Sequence, residues 1–120
     1  MQNLEQIRAR NALSFANQGA VSGVKGGEVI KKVAPLIQNH GLLATAAYSF
    51  TEKEGWQLVF DAIAQHLADK DIAIVSHEVK DRETLMKFLT QTGSTSETLK
   101  LATVEAMAWL TYARRFVKKA

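Results

Sequence analysis

The amino-acid sequence predicts an all-α fold, a compact bundle of five to six helices that forms a single domain over residues 1–120. Apolar residues recur mostly at spacings of three and four, which is the helical period. Only one proline, Pro35, interrupts the 120 residues, and 47% of them are hydrophobic. A chain of this length and composition buries enough apolar surface to fold around one core without disulfides or structural metal ions.

The first helix is predicted over roughly residues 2–18, where three apolar residues share one stripe. These are Leu4, Ile7 and Phe15. Four glycines follow between positions 19 and 27. Because glycine has the greatest backbone freedom, this segment is predicted to be a mobile loop, and it carries Lys25.

Helical spacing returns over residues 28–39, where Pro35 either kinks the helix or opens another short one. Gly41 is expected to end this segment. Residues 42–50 are then expected to form a short apolar helix.

Thr51 and Glu54 have the spacing of a capping box, which predicts that the next helix starts there. Its large apolar residues share one face and are expected in the core: Trp56, Val59, Phe60, Ile63 and Leu67. Its opposite face leaves three residues for water: Gln57, Asp61 and Gln65. Residues 71–76 are rich in β-branched side chains, but a lone strand would have no pairing partner, so helix or loop is predicted.

Asp81 is suited to cap a helix that runs to Thr92, and Gly93 is expected to end it. Ser94 and Glu97 form a second capping-box pattern, which introduces the longest helix of the chain. That helix spans about residues 96–118, and its apolar stripe comprises Leu99, Ala102, Ala106, Trp109, Leu110, Ala113, Phe116 and Val117.

The formal net charge of +3 is distributed unevenly along the chain. Residues 1–51 and 100–120 are basic, whereas residues 52–99 hold nine acidic and five basic side chains. This asymmetry indicates either a polyanionic partner for the basic ends or association between unlike surfaces.

The sequence shows no catalytic or metal-binding set. The absence of cysteine excludes disulfides, a thiolate nucleophile and cysteine-ligated metals. His40, His66 and His77 have no second ligand at helical spacing, so each is interpreted as a surface or helix-end histidine. Phosphate-binding glycine motifs and a nucleophile elbow are missing. We expect a protein that is not an enzyme and has no metal and no cofactor.

The start of the chain lacks the apolar stretch of a signal peptide, and no apolar run reaches the ~18 residues of a membrane span. These features lead us to expect a soluble, cytoplasmic protein without a membrane partner.

The last helix carries the most informative pattern. Its basic residues occupy a sector opposite the apolar stripe, and Glu105 is expected to interrupt that sector. One interpretation is that these cations complement the helix dipole. The other is a phosphate-binding face, because arginine and lysine along a helix bind phosphates regardless of sequence. The candidate phosphate-binding residues are Arg8, Arg10, Lys25, Lys31, Lys32, Arg114, Arg115 and Lys118.

The large aromatic residues are assigned by the same projection. Trp56 and Trp109 lie on apolar stripes and are expected in the core. Tyr112 falls off the stripe of its helix, so it could stack on a base or meet a neighbouring protein.

Two stretches of the chain, residues 33–50 and 101–120, resemble the small helical subunit of the Cmr effector complex of type III-B CRISPR systems. In the first, the family pattern of a proline, an aliphatic residue and Asn-Gly-Leu is matched, with His40 in place of the more usual polar residue. The matching residues there are Pro35, Ile37, Gly41 and Leu42. Those of the second stretch are Ala102, Val104, Glu105, Ala106, Trp109, Leu110, Arg114, Arg115 and Phe116.

The resemblance implies a non-catalytic, all-α subunit that stacks in several copies beside the guide and target RNA. Its implied partners are a large polymerase-like subunit and RAMP backbone subunits. On this basis we expect the basic ends to face RNA and the acidic middle to contact neighbours in a head-to-tail array. The same residues also allow the alternative, a helical protein–protein adaptor that never touches RNA. A DNA-binding regulator is not favoured, because no convincing helix-turn-helix pair is found.

Overall fold

Six helices are found in the computed structural model, which describes residues 3–17, 27–91 and 95–117. They are α1 (Leu4–Ala16), α2 (Gly27–His40), α3 (Leu42–Ser49), α4 (Glu54–Ala68), α5 (Arg82–Thr90) and α6 (Ser96–Phe116). Those three described ranges contain no strand, so the predicted all-α class is confirmed. The predicted loop at 19–27 lies almost entirely outside them.

Helices α1 and α5 begin at side-chain caps that satisfy their first free N–H groups. At α5, Asp81 caps the helix as predicted, because its carboxylate accepts a hydrogen bond from the backbone N–H of Thr84 at 2.8 Å. At α1, the side chain of Asn3 accepts from the backbone N–H of Gln6 at 2.8 Å, and Gln6 returns the bond. These caps fix where both helices start.

The predicted capping box at Thr51 is wrong, and the cap of α6 is one residue later than the predicted one. The Thr51 hydroxyl donates to the carbonyl of Tyr48 at 2.9 Å, so it serves the end of α3, and the residue that precedes α4 is Lys53. The cap of α6 is Thr95, whose hydroxyl accepts from the backbone N–H of Thr98 at 3.1 Å. The predicted cap, Ser94, lies outside the described residues. Thr51 does not cap α4 because both its N–H and its hydroxyl bond to the carbonyl of Tyr48 at the end of the preceding helix.

Gly41 separates α2 from α3, as predicted. Its backbone has φ +90°, which favours glycine because other residues rarely adopt it. Its N–H donates to the carbonyl of Ile37 at 2.7 Å, and its carbonyl accepts from the hydroxyl of Thr45 at 2.8 Å. Helix α2 continues through Pro35, so the alternative of a separate short helix there is not observed.

Residues 69–81 form a loop that folds back on the end of α4, in agreement with the prediction for residues 71–76. The N–H groups of Ile74 and Val75 donate to the carbonyl of Leu67 at 3.1 and 3.3 Å. Val75 and Val79 are buried. The β-branched side chains of this segment therefore fill the core from a loop.

Helix α6 lies at the centre of the fold and packs against α1, α2, α3 and α4, while α5 packs against α3 and α4. Trp56 and Trp109 are buried in one continuous core, as predicted. The predicted apolar face of α4 is buried as well. Asp61 departs from the prediction, because it is half-buried and accepts a hydrogen bond from the N–H of Arg82 at 2.8 Å. No helix in the described part of the chain is long and apolar enough to cross a bilayer.

Candidate nucleic-acid interface

A basic cleft lies between α2 and α6. It has a volume of about 440 Å³ and is lined by Lys31, Thr111, Arg114 and Arg115. We call these four residues the basic cleft. The two arginines stand in the last turn of α6, where their charge also complements the helix dipole.

Packing of α2 on α6 brings the cleft residues together. Arg114 and Arg115 are exposed next to the fully buried Ala113, and Lys31 is exposed next to the buried Ile30. Sequence periodicity predicts that each residue faces outward but does not show that Lys31 meets the arginines. Thr111, one turn before Arg114, also lines the cleft and was not among the predicted residues, but its hydroxyl donates to the carbonyl of Met107 at 3.1 Å.

The remaining predicted RNA-binding residues are not gathered in the basic cleft. Lys32 is exposed on α2 beside Lys31 but does not line the cleft. Lys25 and Lys118 lie outside the described residues. Arg8 and Arg10 stand on α1, where both bind carboxylates of other elements.

A buried polar network joins α1, α4 and α6. The guanidinium of Arg8 donates two hydrogen bonds of 2.8 Å to the carboxylate of Glu105. Nε2 of His66 lies 2.9 Å from Oε2 of the same carboxylate. Glu105 is 5% exposed, so its prediction as an interruption of the basic surface is wrong. The margin of the α6 stripe faces α1, where a buried carboxylate needs cationic and hydrogen-bonding partners.

The network continues from His66 to the end of α4. The side-chain nitrogen of Asn11 lies 2.9 Å from Nδ1 of His66 and 3.1 Å from Oδ2 of Asp69. Arg10 donates to the same Asp69 oxygen at 3.0 Å. Because a carboxylate accepts only, Asp69 orients the NH₂ group of Asn11 toward both partners. Nδ1 of His66 is therefore an acceptor, and Nε2 carries the proton that is donated to Glu105.

His66 lies in the last turn of α4, as the helix-end interpretation predicted, but it is not a surface residue. It is 2% exposed. A helical projection places it beside the apolar face of its own helix and cannot show that a carboxylate from α6 lies opposite. The burial of Glu105 was missed for the same reason.

The electrostatics of the network follow from this geometry. Burial lowers the pKa of His66 below its usual 6.5, although Glu105 opposes that effect. Burial disfavours the charged form of Glu105, but hydrogen bonds from Arg8 and His66 outweigh it and lower the pKa of Glu105. The pKa of Asp69 is likewise lowered, because hydrogen bonds from Asp71 and Asn11 outweigh its burial. The network therefore holds a neutral histidine between charged carboxylates.

Tyr112 stands on α6 and its side chain reaches α1. Its hydroxyl donates to the carboxylate of Glu5 at 3.0 Å, and this hydrogen bond raises the pKa of Tyr112. The ring is half-buried. Stacking on a base and contact with a neighbouring protein both stay predictions.

The cleft and the network differ in what they can do chemically. Network carboxylates accept hydrogen bonds from cations of the same chain, so these groups hold helices together. The arginines of the basic cleft present planar donors that fit phosphate oxygens. Among the described residues, no cluster of three acidic or histidine side chains could hold a metal ion.

Comparison with known proteins identifies relatives of the chain. The family model described as CRISPR-associated protein (Cas_Cmr5) matches residues 4–120. The fold is similar to the crystal structure of a CRISPR-associated Cmr5 family protein from Thermus thermophilus, with a TM-score of 0.72 and 20% sequence identity. That match covers 96% of this chain and 95% of the other. No curated protein sequence matches the chain.

Proposed function

Because the chain belongs to the Cmr5 family of CRISPR-associated proteins, we propose that it is a non-catalytic small subunit of an RNA-guided Cmr effector complex. In this proposal several copies lie along the guide and target RNA and line the RNA path with basic residues. The observation that carries the RNA contact is the basic cleft, where Lys31 from α2 stands with Arg114 and Arg115 from α6.

The chemistry of the basic cleft suits an RNA backbone. Two arginines supply planar donors for phosphate oxygens, and Lys31 adds a further cation. Contacts of this type carry no sequence information. A guide-directed complex needs such contacts, because base pairing with the guide reads the target sequence.

The predicted RNA-binding residues do not contribute equally in this proposal. Lys31, Arg114 and Arg115 form the main contact, and the exposed Lys32 extends it along α2. Lys25 and Lys118 are retained as further phosphate contacts from the sequence pattern alone. Arg8 and Arg10 contribute less, because they lie on α1 and do not line the basic cleft.

The proposed partners are the large polymerase-like subunit, the RAMP backbone subunits and further copies of this chain, all in the cytoplasm. Catalysis is left to other subunits.

Purification of the tagged chain from its host tests membership in the complex. The proteins and RNAs that co-purify are identified together. The proposal predicts guide RNAs together with backbone and polymerase-like subunits. Protein partners without guide RNA would contradict it and would leave a helical adaptor as the function.

A charge reversal tests the basic cleft. Complexes are reconstituted with a variant that carries glutamate at three cleft positions: Lys31, Arg114 and Arg115. Target-RNA affinity is expected to fall, because three phosphate contacts are replaced by repulsion. The matched control reverses three exposed lysines away from the cleft: Lys70, Lys80 and Lys87. An equal loss in both variants would assign the effect to net charge and contradict a specific cleft contact.

A further inference from the structure

Two exposed apolar surfaces lie outside the basic cleft and the polar network. One is at the end of α3, and the other runs along the outer face of α6. Together they contain four exposed large apolar side chains: Tyr48, Phe50, Leu101 and Val104. Exposed apolar groups that cluster in this way mark interaction surfaces.

The aromatic patch, as we call the first surface, consists of Tyr48, Phe50 and the lining of a cavity of about 370 Å³ between α2 and α3. The cavity is lined mainly by apolar groups, from Leu36, His40, Ala44, Thr45 and Tyr48. Tyr48 is 49% exposed, and its ring packs edge-on against Trp56 with the centroids 5.3 Å apart. A ring held in this way loses little freedom when a partner binds.

Arg82 gives the aromatic patch a positive edge. Its guanidinium lies 3.9 Å from the centre of the Phe50 ring and donates to the carbonyl of Ser49 at 2.9 Å. Both contacts are with neutral groups, while the nearby carboxylate of Asp61 accepts the backbone N–H of Arg82 at 2.8 Å. Within the described ranges, the guanidinium of Arg82 forms no ion pair with a carboxylate. Its remaining donors can therefore bind a carboxylate from outside the chain.

The outer stripe, as we call the second surface, consists of Glu97, Leu101 and Val104 on α6. Leu101 is 52% exposed and Val104 is 62% exposed. The spacings of four and three place these residues on one face of the helix. The outer stripe thus presents two apolar side chains with an exposed carboxylate one turn away.

We propose that the outer stripe of one copy packs into the aromatic patch of a second copy, with Glu97 facing Arg82. Apolar side chains then cover the cavity beside Tyr48, and the carboxylate neutralises the guanidinium. The inference rests on the proposed function, in which copies stack, and it names the surfaces that meet. Complementary charge at the edges of two apolar surfaces favours a second copy as the occupant.

The proposed contact joins two different surfaces, so each copy keeps one unused surface and the array does not close on itself. It also leaves the basic cleft open. Leu36 lies about 140° around the axis of α2 from Lys31. Along α6, Val104 lies about 15 Å from Arg114. Stacking of copies and binding of RNA therefore use separate parts of the protein.

Site-directed cross-linking tests the contact, because the chain has no native cysteine. One variant carries Ala44→Cys in the aromatic patch and the other carries Lys100→Cys beside the outer stripe. Mixed at high concentration with a short bismaleimide, they are expected to give the mixed product in excess over either self-product. Gln38→Cys, exposed on another face of α2, is the control that should not cross-link to Lys100→Cys.

Charge variants then test the pairing. Adding Glu97→Lys to the Lys100→Cys chain is expected to lower the mixed product about tenfold, because like charges face each other. Adding Arg82→Glu to the Ala44→Cys chain should restore the mixed product. Leu101→Ser with Val104→Ser, at exposed positions that do not affect the core, should abolish it. Circular dichroism checks the fold of each variant.

Three results would overturn the inference. Equal amounts of mixed and self-products would show a contact without the proposed pairing of surfaces. If Glu97→Lys left the amount of mixed product unchanged, Glu97 and Arg82 would not form the proposed ion pair. Cross-linking of the aromatic patch to RNA or to another protein, in place of a second copy, would assign it a different occupant. Purification from the host tests the proposed function separately. Recovery of Cmr subunits would support that function even if cross-linking contradicted the contact between copies.

Discussion

Arginine has opposite roles in the polar network and in the basic cleft. In the network, Arg8 is mostly withdrawn from water and binds Glu105 with two hydrogen bonds of 2.8 Å. In the cleft, Arg114 and Arg115 remain exposed in the last turn of α6. The comparison shows that burial and the nearest carboxylate, rather than residue type, decide whether a cation holds the fold or is offered to a partner.

The largest expected effect on stability comes from a substitution in the polar network. Glu105→Gln leaves Arg8 without its countercharge, so we expect a loss of about 3 kcal/mol in the free energy of unfolding, measured with urea. The matched control is Glu83→Gln, because Glu83 forms an exposed ion pair with Lys87 at 3.7 Å and should contribute less than about 0.5 kcal/mol. Equal losses in the two variants would contradict the assigned role of burial.

The next largest effect is the pH dependence of stability that His66 causes in the polar network. Because the pKa of His66 is lowered in the folded protein, the unfolded chain binds more protons below pH 6.5. The free energy of unfolding is therefore highest above pH 6.5 with respect to this group. It falls as the pH decreases below 6.5, by at most about 1.4 kcal/mol per pH unit. The charged groups that face His66 are Glu105, Asp69 and Arg8.

Urea unfolding at pH 7.5, 6.5 and 5.5 measures this dependence (these pH values span about one unit either side of the usual histidine pKa). His66→Asn is expected to flatten it, because the titrating ring is gone. The control is His77→Asn, at an exposed loop position. A pH dependence that is the same in His66→Asn as in the unsubstituted chain would show that another group causes it.

A smaller effect is expected at the exposed end of the network. Arg10 binds Asp69 at 3.0 Å, but its side chain is 43% exposed, compared with 21% for Arg8. Arg10→Ala should cost less than about 1 kcal/mol, because solvent screens an exposed pair. A loss as large as that of Glu105→Gln would mean that the exposure of an ion pair does not determine its contribution to stability.

The sequence predicts much of the fold because each helix has its own local signals. Apolar periodicity, the glycine at position 41 and the cap at Asp81 are all properties of neighbouring residues, and the structure confirms them. Thr51 shows the limit, because two helix ends compete for one hydroxyl and the pattern does not say which prevails.

The network and the cleft are harder to predict because they join distant elements. A projection of α6 shows Glu105 at the margin of the stripe, yet it does not show that α1 brings Arg8 to that margin. The same projection predicts that Arg114 and Arg115 face outward without revealing that α2 adds Lys31. Periodicity gives the direction of a side chain, whereas its partner depends on how the helices pack.

The salt dependence of RNA binding tests the central claim most directly. Affinity for a single-stranded target is measured over a range of salt concentrations with reconstituted complexes that carry Arg114→Ala or the unsubstituted chain. The account predicts that Arg114→Ala weakens binding uniformly across sequences and reduces the slope of log affinity against log salt by about 0.7, while leaving the stability of the chain unchanged. An unchanged slope would contradict a phosphate contact and would return Arg114 to a role at the helix dipole alone.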